Sequence, residues 1–167
     1  MKKLTILIAS LAFAIVGHCQ NPTKEIHGHW FSQYSADASE AGTVNDDGST
    51  FGVLCRAEIC QFYLKGSTTC QEGGRYPFLL NSDVGSTGVG TQCQSFNNGT
   101  STYSDVVWFE ETIKLASYLS KGELFGFAIP LNSGEFKVTR FRLKGATEAI
   151  GRATTAPSRK KIGDTRL

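Results

Sequence analysis

The stretch GVLCRAEICQFYL, residues 52–64, indicates a β-hairpin closed by a disulfide. Cys55 and Cys60 flank a short polar connection, and the runs on either side have the alternation and the aromatic and branched residues that are typical of strands. Facing residues of an antiparallel hairpin bring their Cβ atoms to about 4.5–5.5 Å, close to the separation that a disulfide requires. We therefore expect these two cysteines to be joined across the hairpin.

A zinc site and a redox-active pair are the alternatives for these cysteines. Zinc sites place paired ligands about two to four residues apart and need a second matching pair. The remaining cysteines, Cys70 and Cys93, are too far apart in the sequence to supply one. A thioredoxin-type pair needs a shorter spacing than Cys55 and Cys60 have. We expect Cys70 and Cys93 to form a second structural disulfide, which closes a longer loop.

The N-terminus predicts export. A basic start, MKK, precedes the uncharged run LTILIASLAFAIV, which is the layout of a secretory signal and is shorter than the about 20 apolar residues of a membrane-spanning helix. We expect residues 1–19 to be a signal peptide and the mature chain to be periplasmic or secreted. Cleavage has two candidate sites, AFA at 12–14 and GHC at 17–19. Lipid anchoring at Cys19 is disfavoured because His18 stands where a small residue is normal.

Composition and pattern favour a mainly β fold. Removing the signal lowers the formal net charge from +2 to about zero, which does not suggest a nucleic-acid partner. Strand-like runs separated by turn clusters predict an antiparallel β-sandwich of about seven or eight strands, with one late helix at 110–122 and a short C-terminal helix. Residues 20–153 are expected to form this single disulfide-stabilised domain, and 154–167 a basic, disordered tail.

Three segments carry more specific expectations. HGHWFSQYS, residues 27–35, alternates around Trp30 and predicts the first strand. The following residues, 36–50, are rich in turn formers, with a hairpin signal at Asp47-Gly48. EFKVTRFRL, residues 135–143, is a period-two strand whose alternation slips near Arg140, which suggests a β-bulge.

No motif for catalysis, metal binding or a cofactor stands out. His27 and His29 would project from one face of a strand as a two-ligand metal motif, but the sequence indicates no third ligand nearby. The segment 46–48 lacks the spaced oxygen ligands of a calcium loop. The sequence contains no nucleophile-elbow motif, although a pair of hydrolytic carboxylates would not be visible in one sequence.

The aromatic residues have two interpretations. They could form a carbohydrate-stacking platform, but aromatic side chains that alternate along strands usually belong to the core, and we expect the core role here. The residues concerned are Trp30, Phe31, Tyr34, Tyr63, Tyr76, Trp108 and Phe109.

The segment FGFAIPLNSGEFKVTRFRLKGATEAI, residues 125–150, together with Trp30, Cys55 and Cys60, resembles a group of small exported bacterial proteins. This group includes the invasion-associated locus B family and the accessory lipoproteins of type VI secretion. The resemblance implies an exported β-sandwich that has no known catalytic residues and acts by contact with other macromolecules. Because the second cysteine pair, the missing lipobox and the 110–122 helix depart from the pattern, no residue role is carried over.

Three functions follow in order of preference. The first is an exported, non-enzymatic module that binds a protein or envelope polymer at the bacterial cell envelope, in an accessory, inhibitor or immunity-type role; it predicts an exposed apolar patch. The second is a carbohydrate- or peptidoglycan-binding module, which predicts exposed coplanar aromatics beside a groove. The third is an envelope hydrolase, which predicts a cleft with two carboxylates or a histidine–nucleophile pair.

Overall fold

The structure, a computed structural model, describes residues 23–163 apart from 36, 58, 67, 68, 98–101 and 132. The expected signal peptide, 1–19, and Cys19 lie outside the described residues. The described part contains, in chain order, β1 Thr23–His27, β2 Trp30–Tyr34, β3 Ala38–Val44, β4 Thr50–Arg56, β5 Ile59–Lys65, β6 Arg75–Ser82, β7 Gly85–Asn97, β8 Thr102–Phe109, α1 Thr112–Leu119, β9 Leu124–Pro130, β10 Phe136–Arg142 and α2 Ala146–Gly163.

All of these strands belong to one antiparallel sheet, in the order β1-β2-β3-β4-β5-β8-β7-β6-β9-β10. The prediction of an antiparallel, mainly β chain with a late helix is confirmed, but the prediction of a sandwich of seven or eight strands is wrong. The reason is the pairing of β5 with β8, in which Tyr63 faces Trp108. This ladder joins the two halves of the sheet, so there is no break in hydrogen bonding that would create two separate sheets.

The sheet encloses its core by folding its two halves over one face, which we call the inner face. Phe51 on β4 is fully buried, and its ring contacts those of Phe125 and Phe127 on β9 and of Phe141 on β10. These strands are far apart in the sheet order, so the contacts are made across the core and not along a ladder. One aromatic cluster therefore holds both halves together.

The two halves also touch through individual hydrogen bonds, one of which joins the Asn45 amide of the β3–β4 turn to the inward-facing Thr139 hydroxyl in the middle of β10 at 2.9 Å. The indole Nε1 of Trp30 on β2 donates to the carbonyl of Arg142 on β10 at 2.8 Å, and the backbone N–H of His29 donates to the carbonyl of Lys144 at 3.0 Å. These bonds do not extend into a ladder, and in the described part of the chain β10 pairs only with β9. The sheet consequently keeps an open edge along part of β10.

Two of the N-terminal expectations need correction. The segment 27–35 is not one strand, because a turn at Gly28, which has a φ of 60°, and His29 separates β1 from β2. The turn-rich segment 36–50 contains β3 before its hairpin turn. The small residues that suggested a turn are needed in this strand, since a Cβ on Gly42 would lie 3.0 Å from the Phe31 ring.

The C-terminal helix is longer than expected. α2 includes residues 154–163, which were expected to be part of a disordered tail. It docks on β2 and β3 through the fully buried Ala146, Ala149 and Ala153, and the buried hydroxyl of Ser39 donates to the Ala153 carbonyl at 2.6 Å. Because a docked first half removes the cost of helix nucleation, each further residue that has a backbone N–H adds one helical hydrogen bond even in a polar sequence; Pro157 has none to add.

Candidate interaction surface

Two disulfides close parts of the sheet, in the pairing that the sequence suggested. Cys55 and Cys60 are a facing pair of the β4–β5 hairpin, with Cα atoms 4.0 Å apart. Cys70, in the loop before β6, is joined to Cys93 on β7 with Cα atoms 5.9 Å apart. Both bridges fit the disulfide-bonded chain that was expected, and all four sulfur atoms are used in them.

One group of three potential metal ligands occurs in the described part of the chain, and it contains the second disulfide. The ligand atoms of Cys70, Cys93 and Asp105 all lie within 4.8 Å of one another. The two sulfurs are bonded to each other, and the Asp105 carboxylate accepts a hydrogen bond from the Cys70 N–H at 3.0 Å. With the disulfide intact, this group offers no pair of thiolates to a metal ion.

The two histidines of the HGH motif do not share a strand face. β1 ends at His27, whose side chain is only 7% exposed beside α2, and His29 is exposed in the turn that follows. The predicted arrangement of both imidazoles on one face is therefore wrong, because the hairpin turn falls between them.

His27 takes part in a partly buried polar network that resembles a catalytic triad. Its Nε2 lies 3.0 Å from the Ser32 hydroxyl, and its Nδ1 lies 3.3 Å from the Glu148 carboxylate on α2. This is the order of groups that activates a serine nucleophile. However, Ser32 has no exposed surface, and Arg152 bridges Glu148 to Glu25. Without access for a substrate, the network serves to fasten α2 to β1 and β2.

The aromatic residues that could have formed a stacking platform are mostly buried. Trp30 and Phe109 belong to the main core, and Tyr63 and Trp108 form a second buried cluster with Val106 on the other face of the sheet, the outer face. Phe31, Tyr34 and Tyr76 are partly exposed. The expectation that these aromatics are mainly core residues therefore agrees with the burial of these four rings.

The outer face of β10 exposes large apolar side chains. Phe136 is 64% exposed and Val138 is 47% exposed. The register places Val138 opposite Ala128 of β9, which in turn faces Leu79 of β6, while Phe136 faces Pro130. These side chains form one continuous surface across three strands, which we call the apolar strip: Leu79, Ala128, Pro130, Phe136 and Val138.

The strip borders an open strand edge. At the two ends of β10, residues 135 and 143 direct their backbone groups towards the β9 side. The Glu135 carbonyl accepts from the Leu131 N–H, and the Leu143 N–H donates to the Glu123 carbonyl. In an antiparallel ladder such residues alternate with others whose N–H and C=O groups point the opposite way. Phe136, Val138 and Arg140 therefore point these groups away from β9, and no backbone group of the described residues bonds to them.

A charged groove continues the edge at the far end of β10. It has a volume of about 1020 Å³ and runs between β10 and the β3–β4 turn. Its cations are Arg140, Arg142 and Lys144, and its carboxylates are Asp46 and Glu123. The three cations form no ion pair with a carboxylate of the described residues, so their charge is available to a partner.

This surface was not predicted from the sequence, although the slip in alternation that marks it was recognised. The slip in alternation near Arg140 is not a bulge, since the pairing of β9 with β10 is continuous from Phe136 to Arg142. The slip arises because the apolar residues change faces: Phe136 and Val138 point outward, and Phe141 points into the core. An apolar pattern that changes faces within one regular strand is the signal that could have located the surface.

The fold has a counterpart among solved structures. It is similar to the crystal structure of invasion associated protein B from Bartonella henselae, with a TM-score of 0.56 and 16% sequence identity. The matched region covers 81% of this chain and 99% of that chain. At this identity the likeness extends to the fold alone, and it supports a structural resemblance to the invasion-associated group. The sequence matches no protein-family model and no curated protein.

No helix among the described residues is long and apolar enough to cross a membrane.

Proposed function

We propose that the chain is an exported, non-enzymatic module that binds a protein partner at the bacterial cell envelope through the apolar strip and the adjoining edge of β10. The observation that carries this proposal is the strip itself. Contiguous apolar side chains on the surface of a folded protein mark interaction sites, whereas singly exposed apolar residues need no explanation. Here Leu79 on β6 and Phe136 and Val138 on β10 are exposed, and Ala128 and Pro130 on the intervening strand β9 connect them.

The two disulfides support export, because such bonds persist in oxidising compartments such as the periplasm. The fold shared with an invasion associated protein supports a role outside the cytosol. The inaccessible Ser32 and the buried aromatic rings favour a binding role over hydrolysis and over carbohydrate stacking. The proposed partner class rests on the apolar chemistry of the strip.

Site-specific photo-crosslinking in the native bacterium tests the proposal. A photoreactive phenylalanine analogue replaces Phe136 in one strain and Ile59 in a matched control strain. Ile59 is equally suited to labelling because it is 75% exposed, and its strand, β5, is separated from β9 by three other strands. We expect a crosslinked adduct of one discrete mass from position 136 and none from position 59.

The same cells provide the test of export. Fractionation should recover the protein from the periplasm or the medium, with a mass that lacks the signal peptide. No adduct at position 136, the same adduct at both positions, or recovery of the full-length chain from the cytosol would each contradict the proposal.

A further inference from the structure

The open edge of β10 identifies the form in which a partner can bind. We propose that this edge accepts an extended, acidic segment of the partner protein as an additional antiparallel strand; the inference rests on the proposed function and specifies the partner at the same surface. Strand addition needs a row of unsatisfied backbone groups, beside which side chains provide selectivity. Phe136, Val138 and Arg140 supply that row.

The side chains along β10 change in character from one end of the strand to the other. On the outer face Phe136 and Val138 are apolar, and Arg140 and Arg142 carry positive charge, with Lys144 beyond them. An added strand therefore meets an apolar surface at one end and unpaired cations at the other. Its own residues on this face should be apolar opposite Phe136 and Val138, and acidic opposite the arginines.

Two hydrogen bonds at the C-terminal end of β10 limit the length over which an added strand can pair. The Arg142 carbonyl is occupied by the Trp30 indole and the Lys144 carbonyl by the His29 N–H. Backbone pairing is therefore available only from Phe136 to Arg140. Beyond that point the groove can receive the acidic side chains of the segment. Its own carboxylates, Asp46 and Glu123, leave an excess of one positive charge there.

The charges also argue against a second copy of this chain as the occupant. Two β10 strands paired antiparallel over residues 136–140 would place Arg140 of each copy opposite Phe136 of the other, and neither strand has a carboxylate between residues 136 and 144. The pair would therefore add further cations without neutralising any of them. Like charges on neighbouring strands are destabilising, whereas an acidic strand would neutralise them. Charged side chains on an edge strand are a common protection against indiscriminate pairing. In β10 they would disfavour basic strands and favour an acidic one.

The other edge strand of the sheet, β1, exposes one large apolar side chain on its outer face, that of Ile26, which is 68% exposed. The inner-face side chains of β1 are engaged with α2, with Glu25 bonded to Arg152 at 2.9 Å and His27 next to Glu148. On its outer face the Lys24 amine lies 4.5 Å from the centre of the Phe31 ring. Of the two edges in the described sheet, β10 is therefore the one that combines two exposed apolar side chains in a row with an excess of positive charge.

Synthetic peptides test the inference on the oxidised, mature protein. The probe is a fluorescent peptide of about eight residues with glutamates at alternate positions in its N-terminal half, valines at the equivalent positions in its C-terminal half and threonines between them. This order matches antiparallel addition to β10. We expect saturable binding in fluorescence anisotropy. Replacing the glutamates by lysines should abolish it, and raising the ionic strength should weaken it.

N-methylation of the probe separates strand addition from simple charge attraction. Only alternate N–H groups of an added strand point towards its neighbour. Methylation at those positions should weaken binding by about tenfold or more for each group removed, and methylation at the intervening positions should have little effect. This comparison leaves the protein unchanged, so it does not depend on the folding of any variant.

Two variants complete the test. Val138→Pro removes an N–H that points to the open edge and makes no ladder bond, a position at which a sheet tolerates proline, and should weaken the probe by about tenfold. Arg140→Glu combined with Arg142→Glu should lose the acidic probe and bind the lysine version instead. Ile59→Ser is the control that should bind like the wild type.

Absence of saturable binding, or binding that is equally sensitive to N-methylation at both sets of positions, would overturn the inference. A dimer that forms with rising protein concentration and competes with the probe would overturn it as well, and would identify a second copy as the occupant. If the peptides fail but the crosslink at position 136 is found, the proposed function stands and only strand addition falls. If the crosslink is absent, the proposed function itself fails.

Discussion

Alanine substitutions at two phenylalanines, Phe51 and Phe136, separate the core of this protein from its proposed binding surface. Phe51 is fully buried, and its ring centroid lies between 4.8 and 6.0 Å from the centroids of six other aromatic rings, which belong to Trp30, Phe62, Phe109, Phe125, Phe127 and Phe141. Those rings come from β2, β5, β8, β9 and β10, so removing Phe51 loosens the contact between both halves of the sheet. Phe136 is 64% exposed and contributes mainly to the outer surface.

The two substitutions should lower the free energy of unfolding by amounts that differ severalfold. Truncating a fully buried phenylalanine to alanine typically costs about 3–5 kcal/mol of unfolding free energy, because the cost of the cavity adds to the lost transfer free energy of the ring. A central position with aromatic neighbours on several sides cannot collapse easily, so we expect about 4 kcal/mol for Phe51→Ala. In a domain of this size that corresponds to a fall of about 10 °C in Tm. Phe136→Ala should change the free energy of unfolding by less than about 1 kcal/mol.

Urea denaturation of the oxidised proteins, followed by circular dichroism, provides the measurement. The two variants and the wild type should give the same slope against urea, since a common slope means that the midpoints report stability. A loss below about 1 kcal/mol for Phe51→Ala would refute a single core that closes both halves of the sheet. A loss for Phe136→Ala equal to that of Phe51→Ala would show that Phe136 is needed for stability. The apolar strip could then not be interpreted as a free binding surface.

Three further predictions concern the disulfides, the turns and the buried serine. Replacing Cys70 and Cys93 by serines should lower the free energy of unfolding by about 3 kcal/mol, and removing the Cys55–Cys60 bridge should lower it by about 2 kcal/mol, because the sequence separations are 23 and 5 residues. Alkylation without prior reduction, followed by mass spectrometry, should label none of the four sulfurs. Gly145→Ala should be much more destabilising than Gly134→Ala in thermal denaturation: both glycines have positive φ, but the new Cβ would lie 1.7 Å from a backbone oxygen at 145 and meets nothing within 4 Å at 134. A fluorophosphonate probe should leave Ser32 unlabelled because this side chain is fully buried, and labelling there would revive the hydrolase hypothesis.

Local features of the fold could be predicted from the sequence because short-range chemistry determines them. The hairpin around Cys55 and Cys60 needed only alternation, a short connection and two cysteines at facing positions. The helix at 110–122 likewise contains α1, whose buried residues Leu115 and Leu119 have the i, i+4 spacing of one helix face. Each of these features depends on residues close together in the chain.

The sheet topology could not be predicted in the same way, because it depends on pairing between distant segments. Whether β5 ends a sheet or continues it is decided by β8, which lies some forty residues later and contributes Trp108 opposite Tyr63. β3 was overlooked since its small residues resemble a turn, and their role is apparent only when the Phe31 ring is placed over Gly42. Neither relation leaves a periodic pattern in the local sequence.

The apolar side chains of β10 are the part of the sequence that folding alone does not require. The inward residues Thr139 and Phe141 satisfy the core, and the outward positions of an edge strand could carry threonine or lysine at no cost to the ladder. Phe136 and Val138 instead expose apolar surface next to unpaired backbone groups, which is the arrangement that favours edge-to-edge aggregation. A protein that keeps this arrangement and places cations beside it has a surface suited to one kind of strand, and that selectivity is what the peptide and crosslinking experiments measure.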